Sequence, residues 1–151
     1  MSAPPVDGAK APGDRPRYPG EKFGLPEDGP RSVAGMGRRF GALLIDWVIC
    51  VLIAFAARHP RNLDPAAIQA VQYWALAIFA AENFLLTALT GLTLGKRLTG
   101  IRVARLDGRP VGFGWALLRT VLFLCVIPPL VTDRDLRGLH DRAANTVVIR
   151  L

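Results

Sequence analysis

The sequence predicts an all-α membrane protein: about three hydrophobic helices and a small β element, preceded by a disordered tail. Three observations lead there. Just over half of the 151 residues are apolar (51%), and the mean hydropathy is +0.29, which is more apolar than a soluble domain of this size usually reads. The apolar residues gather into three runs separated by Arg-rich connections. The runs also lack the charged face that a soluble helix shows opposite its apolar stripe; the second carries one carboxylate in 27 residues.

Residues 1–34 form the tail. It holds Pro4, Pro5, Pro12, Pro16, Pro19, Pro26 and Pro30, and such a segment buries too little apolar surface to offset its ordering entropy. It reads as a solvated tether on the cytoplasmic side. A proline-directed partner is the sharper alternative. The first apolar run starts too late for a signal peptide.

Residues 35–151 form the membrane domain. Its first run is 41–57, GALLIDWVICVLIAFAA, which reaches the short end of what spans a bilayer. Arg58, His59 and Pro60 end it. The second run, residues 68–94, follows Asp64-Pro65, a helix-start signal. The connection 95–112 carries Lys96, Arg97, Arg102, Arg105 and Arg109 against Asp107 alone. Ile101, Val103 and Leu106 suit a strand, and Asp107-Gly108 signals a tight turn, so a short strand or hairpin is expected there. The third run, 111–131, contains Arg119 and meets Pro128-Pro129, where a helix should break or kink.

The formal charge is +7 and the pI about 10.4. The arginines flank the apolar runs, as positive-inside loops do, and no aromatic-interleaved basic patch suggests a nucleic-acid partner. The expected partner is the lipid bilayer, with a homo-oligomer or a membrane-protein partner. Cys50 and Cys125 lie inside apolar runs and read as two buried free thiols. No metal-ligand spacing, phosphate loop or nucleophile–base pair stands out, so no metal, cofactor or catalytic residue is expected and the chain does not read as an enzyme.

Polar groups within lipid are expensive and need partners. Asp46 lies seven residues after Arg39, on the same helical face. In the structural reading Arg39 snorkels at the interface and a basic group from a neighbouring helix neutralises Asp46. In the functional one Asp46 handles an ion or proton. The hypothesis to test is that the two belong to one ion-pair network. Glu82 and Asn83 sit mid-run in the second helix. Asn83 shares a stripe with Gln72, Thr87 and Thr90, which serves interhelical hydrogen bonding or lines an ion path. Arg119 is the expected counter-charge for Glu82 or Asp46. Gly91 and Gly95 allow either close helix approach or a turn.

Three segments together, GRRFGALLIDWVI (37–49), GLTLGKRLTGIRVARLDGRPV (91–111) and RGLHDRAANTVVI (137–149), resemble the RDD family of bacterial membrane proteins, named for one arginine and two aspartates. By this resemblance the arginine is Arg39 and the aspartates are Asp46 and Asp141. The family's G-x-T-x-G-K element falls on Gly91, Thr93, Gly95 and Lys96. The short third run and Asn145, where a glycine is usual, depart from the pattern. The resemblance implies a multi-pass protein of the plasma or inner membrane and permits a transporter, since cation/proton exchange has been proposed for members. The rival expectation is a non-transporting accessory or scaffold subunit. The basic flanks place the N-terminus and the second connection in the cytoplasm, with residues 58–67 outside. The C-terminus joins the cytoplasmic side if the third run dips in and returns, which lets residues 146–149 pair with residues 101–103.

Overall fold

Between Gly35 and Pro60 no proline interrupts the chain, and residues Met36–Arg58 form one continuous helix, α1. It ends as His59 turns left-handed (φ 42°), its N–H still bonded to the Phe55 carbonyl at 3.1 Å, and Pro60 prevents resumption soon after. Helix α2, Pro65–Leu89, starts with its proline in the first turn and the Asp64 carboxylate accepting from the Ala67 N–H at 2.7 Å, a cap of side-chain oxygen on an otherwise unpaired donor. The short α3 (Leu94–Leu98), strand β1 (Ile101–Arg105), α4 (Phe113–Leu124), short α5 (Leu139–Ala143) and strand β2 (Thr146–Arg150) follow. The computed structural model describes residues 16–125 and 136–151; the break anticipated at Pro128-Pro129 lies outside them, as does the first part of the tail.

Strands β1 and β2 pair antiparallel, from Ile101 with Arg150 to Arg105 with Thr146. The pairing that the sequence permitted is therefore present, and the hairpin alternative is not. Asp107-Gly108 does turn, with Gly108 at φ 73° bonded to the Arg105 carbonyl, but the chain leaves it toward α4. The final residues of the tail are also placed. Ala34 donates to the Val148 carbonyl at 2.9 Å, and Arg150 donates to the Ser32 carbonyl at the same distance. Composition assigned this stretch to the solvated tether, but β2 offers an open edge whose backbone groups need partners. The approach to α1, the end of α2 and the C-terminal strand consequently lie at one end of the helices.

Helices α1 and α4 each pack on α2. The inward face of α1 is Ala42, Asp46, Cys50 and Ala54, spaced by four residues; that of α2 is Val71, Ala75, Phe79, Asn83 and Thr87. Small inward residues let the helices approach closely. The large apolar side chains point away from the bundle: Phe40, Leu44 and Leu52 are 67%, 52% and 63% exposed. The usual amphipathic arrangement is largely reversed, with apolar outside and, Val71 and Phe79 apart, polar or small residues inside.

By length and composition, α1 is long and apolar enough to cross a membrane, with a mean hydropathy of 2.4 over its best window, and at about 1.5 Å per residue it exceeds a ~30 Å hydrocarbon core. It alone passes that test among the described residues. In α2 the residues Gln69, Gln72, Glu82 and Asn83 dilute the apolar run, and α4, with 12 residues, is only about 18 Å long. Among the described residues the architecture is thus five α-helices with a two-stranded sheet, and a 3-10 turn at Glu21–Phe23 ahead of them, one helix being a clear candidate span.

Candidate functional site

The segment joining α2 to β1 builds the first half of the site. Gly91 takes a left-handed φ of 71°, and its carbonyl accepts from the Val103 N–H at 2.8 Å; a Cβ there would lie 2.2 Å from the Val103 carbonyl oxygen. Thr93 caps α3, its Oγ1 3.4 Å from the Lys96 N–H, and the same hydroxyl donates to Asp46 Oδ2 at 2.5 Å. The Gly95 N–H donates to Asp46 Oδ1 at 2.6 Å. A side chain on Gly95 would sit 2.1 Å from the Ala42 carbonyl, so glycine is what lets α3 press onto α1. This gives Gly91 the turn and Gly95 the close approach.

Lys96 then folds back into the bundle. Its Nζ donates to Asn83 Oδ1 at 3.1 Å and to Thr93 Oγ1 at 3.3 Å. Burial pushes its ammonium down to about 7; Arg119 adds to this, and Asp46, Asp141 and Glu82 oppose it. Asp46, Thr93, Lys96 and Asn83 therefore form one hydrogen-bonded chain from α1 through α3 to α2. Lys96 stood in the sequence as part of a motif, not as a buried group. The one signal of its burial was that it follows directly on the apolar second run.

The second half gathers around Asp141 of α5, which is fully buried. Arg119 Nε donates to its Oδ1 at 2.8 Å, Thr146 Oγ1 donates to it at 3.2 Å, and His140 Nε2 lies 3.6 Å away. Arg39 Nη1 is 3.6 Å from Oδ2, while the other nitrogens of Arg39 hold the Ala34 and Val148 carbonyls. Burial opposes ionisation of Asp141, but Arg119, His140 and Arg39 outweigh it and hold the carboxyl down at about 2.

This corrects two sequence expectations. Arg119 pairs with neither Glu82 nor Asp46, and Arg39 does not pair with Asp46; both arginines turn to Asp141. Seven helical residues put Arg39 and Asp46 on one face but about 10 Å apart along the axis, so Arg39 meets Asp141 of α5 while Asp46 meets Thr93 and Gly95 at the start of α3. Glu82 accepts from the Cys50 thiol at 3.2 Å, and its Oε1 has no donor among the described residues. Of the polar stripe on α2, Asn83 and Thr87 are buried, whereas Gln72 and Thr90 are exposed. Cys125, expected to be buried, is exposed, since α4 ends beside it.

The two halves face each other across a cavity of about 220 Å³. Asp46, Asn83 and Lys96 line it together with Arg39, Arg119 and Asp141. Exposed Met36 and Phe40 stand at its edge. No cluster of three or more His, Cys, Asp or Glu side chains suited to a metal occurs among the described residues. A family model described as the RDD family matches residues 33–145. No curated protein and no solved structure matches the chain.

Proposed function

The chain belongs to the RDD family, a family of membrane-associated proteins, and from that premise we propose that it is a multi-pass membrane protein whose buried polar chain moves a proton against a small cation or solute. The membrane part rests on the reversed helices. Large apolar side chains cover their outer faces while Asp46, Lys96 and Asn83 are enclosed, an apolar surface far beyond what soluble monomers present to water. Basic residues crowd the sheet end, including Arg38, Arg39, Arg97, Arg102 and Arg109, and among the described residues only Arg58 and Arg61 mark the other. By the positive-inside bias the sheet end, and with it the N-terminal flank, faces the cytoplasm.

The observation that carries the transport reading is Lys96, a buried amine on the cavity wall, one hydroxyl away from a buried carboxylate. Protonated, it satisfies Asn83 and Thr93. Deprotonated, it gives up a charge that Asp46 offsets, so the local charge of the cavity changes by one near neutral pH. With one clear span and a short α4, a complete pathway calls for a homo-oligomer.

The test is the full chain in liposomes carrying a pH gradient. Addition of sodium or potassium should collapse the gradient with wild type and not with Lys96→Met. A wild-type protein that leaves proton and cation gradients intact, yet co-purifies with a stoichiometric membrane protein, would replace this reading with the accessory one.

A further inference from the structure

Arg119 is 7% exposed and lines the cavity, yet it uses only Nε, on Asp141. Neither of its Nη groups has an acceptor among the described residues. A buried guanidinium with its fork unfilled is costly, because donors taken from water need replacement acceptors. Arg39 offers a second incomplete donor to the same cavity, its Nη1 being 3.6 Å from Asp141 and beyond hydrogen-bond length. With Lys96 protonated, the lining carries the formal cations Arg39, Arg119 and Lys96 against Asp46 and Asp141, an excess of one positive charge.

The surroundings narrow what could fill it. Both α1 and α4 pack on α2, and the cavity is lined from α1 by Met36, Phe40 and Leu43 and from α4 by Phe123. Its edge is therefore apolar, with Met36 46% and Phe40 67% exposed. It lies in the first turns of α1, beside the sheet, which on the membrane reading is the depth where headgroups meet acyl chains. At about 30 Å³ per water, the volume accommodates a phosphate and the adjoining glycerol carbons.

We propose that this cavity binds the phosphodiester of an anionic phospholipid, with the Arg119 fork as principal donor and the acyl chains leaving past Phe40 and Phe123. A planar guanidinium matches two phosphate oxygens at once, one negative charge meets the one-charge excess, and basic pockets between membrane helices suit such headgroups. A free phosphate would gain nothing from the apolar edge. The inference rests on the membrane part of the proposed function and is independent of transport.

The experiment uses the full chain in a neutral detergent, with dioleoyl phosphatidylglycerol, dioleoyl phosphatidylcholine or glycerol phosphate added. The readouts are melting temperature and lipid retention in native mass spectrometry. Phosphatidylglycerol should raise the melting temperature with concentration, by linkage to the folded state, and should be retained, while the other two have little effect. Arg119→Lys keeps a cation beside Asp141 but loses the fork; it should weaken phosphatidylglycerol binding roughly ten-fold. Phe40→Asp places a repelling carboxylate at the exposed edge and should do the same without lowering the melting temperature in phosphatidylcholine, which keeps the test decisive if Arg119→Lys fails to fold. Equal responses to the two lipids, or an undiminished preference for phosphatidylglycerol in Phe40→Asp, would overturn the site. Stabilisation by glycerol phosphate as strong as by the lipid would overturn the lipid as its source. Failure of the membrane reading would look different: the chain would leave cell membranes in a carbonate wash.

Discussion

Asp46 and Asp141 are both buried, at 1% and 0% exposure, and are held in opposite ways. Asp141 is met by guanidinium groups, Arg119 at 2.8 Å and Arg39 at 3.6 Å, with the His140 imidazole also at 3.6 Å. Asp46 is met by neutral donors, a threonine hydroxyl and a glycine N–H, and its positive neighbour Lys96 stands one hydrogen bond further off. The first arrangement locks a charge in place and ties the C-terminal segment to α1 and α4. The second leaves a carboxylate whose nearest cation can lose its proton. The two aspartates are thus divided by their surroundings, Asp141 bridging α5 to Arg119 of α4 and Arg39 of α1, and Asp46 lying one hydroxyl from Lys96.

The largest effect that would test this division is Asp141→Asn. It leaves Arg39 and Arg119 buried without their counter-charge, a loss of about 3–5 kcal/mol, and the detergent-solubilised protein should melt far lower or fail to fold. Asp46→Asn should cost less, about 1–3 kcal/mol, because one of its two oxygens is replaced by a donor that faces donors. The same thermal melt measures both. A penalty for Asp46→Asn equal to that of Asp141→Asn would break the comparison, since it would mean that Asp46 also carries a buried ion pair.

The sharpest test is pH. Lys96 is at about 7 in the fold against 10.5 for a free lysine, and it lies in α3, outside the long helices. Between those values the unfolded chain binds more protons, so stability rises with pH across that window; below about 7 both states are protonated and the penalty stays constant. The melting temperature of wild type relative to Lys96→Met should therefore climb from pH 7 to 10. Asp141 acts at the other end. Its carboxyl is at about 2 against 3.8, so its stabilisation is complete above about 4 and disappears as pH falls toward 2. A flat difference between wild type and Lys96→Met above pH 7 would show that Lys96 is not enclosed.

Much of the motif's logic was legible without coordinates, though not its connections. The Asp64-Pro65 start of α2, the stop at Pro60 and the strand-forming alternation at Ile101 and Val103 are local signals, and they appear where local chemistry put them. Asn145, placed where the family usually has glycine, adopts φ 50°; asparagine is among the few residues that tolerate this conformation, so the departure preserves the turn. The pairing of Arg119 was misread because its partner comes 22 residues later, from α5. No periodicity connects two helices across an intervening segment.

What the sequence by itself determined is the local material: apolar runs too poor in charge for water, their caps and breaks, two β-prone stretches, and the few polar residues that would need partners. Which partner each polar residue finds was decided only by the tertiary structure. β2 closing on β1 and on residues 31–34 brings α5 against α1 and α4, and Gly95 lets α3 reach Asp46. The physical reason is that a buried charge is satisfied by whatever donor the packing brings within about 3 Å, and that distance depends on how elements far apart in the chain dock, which helical spacing does not contain.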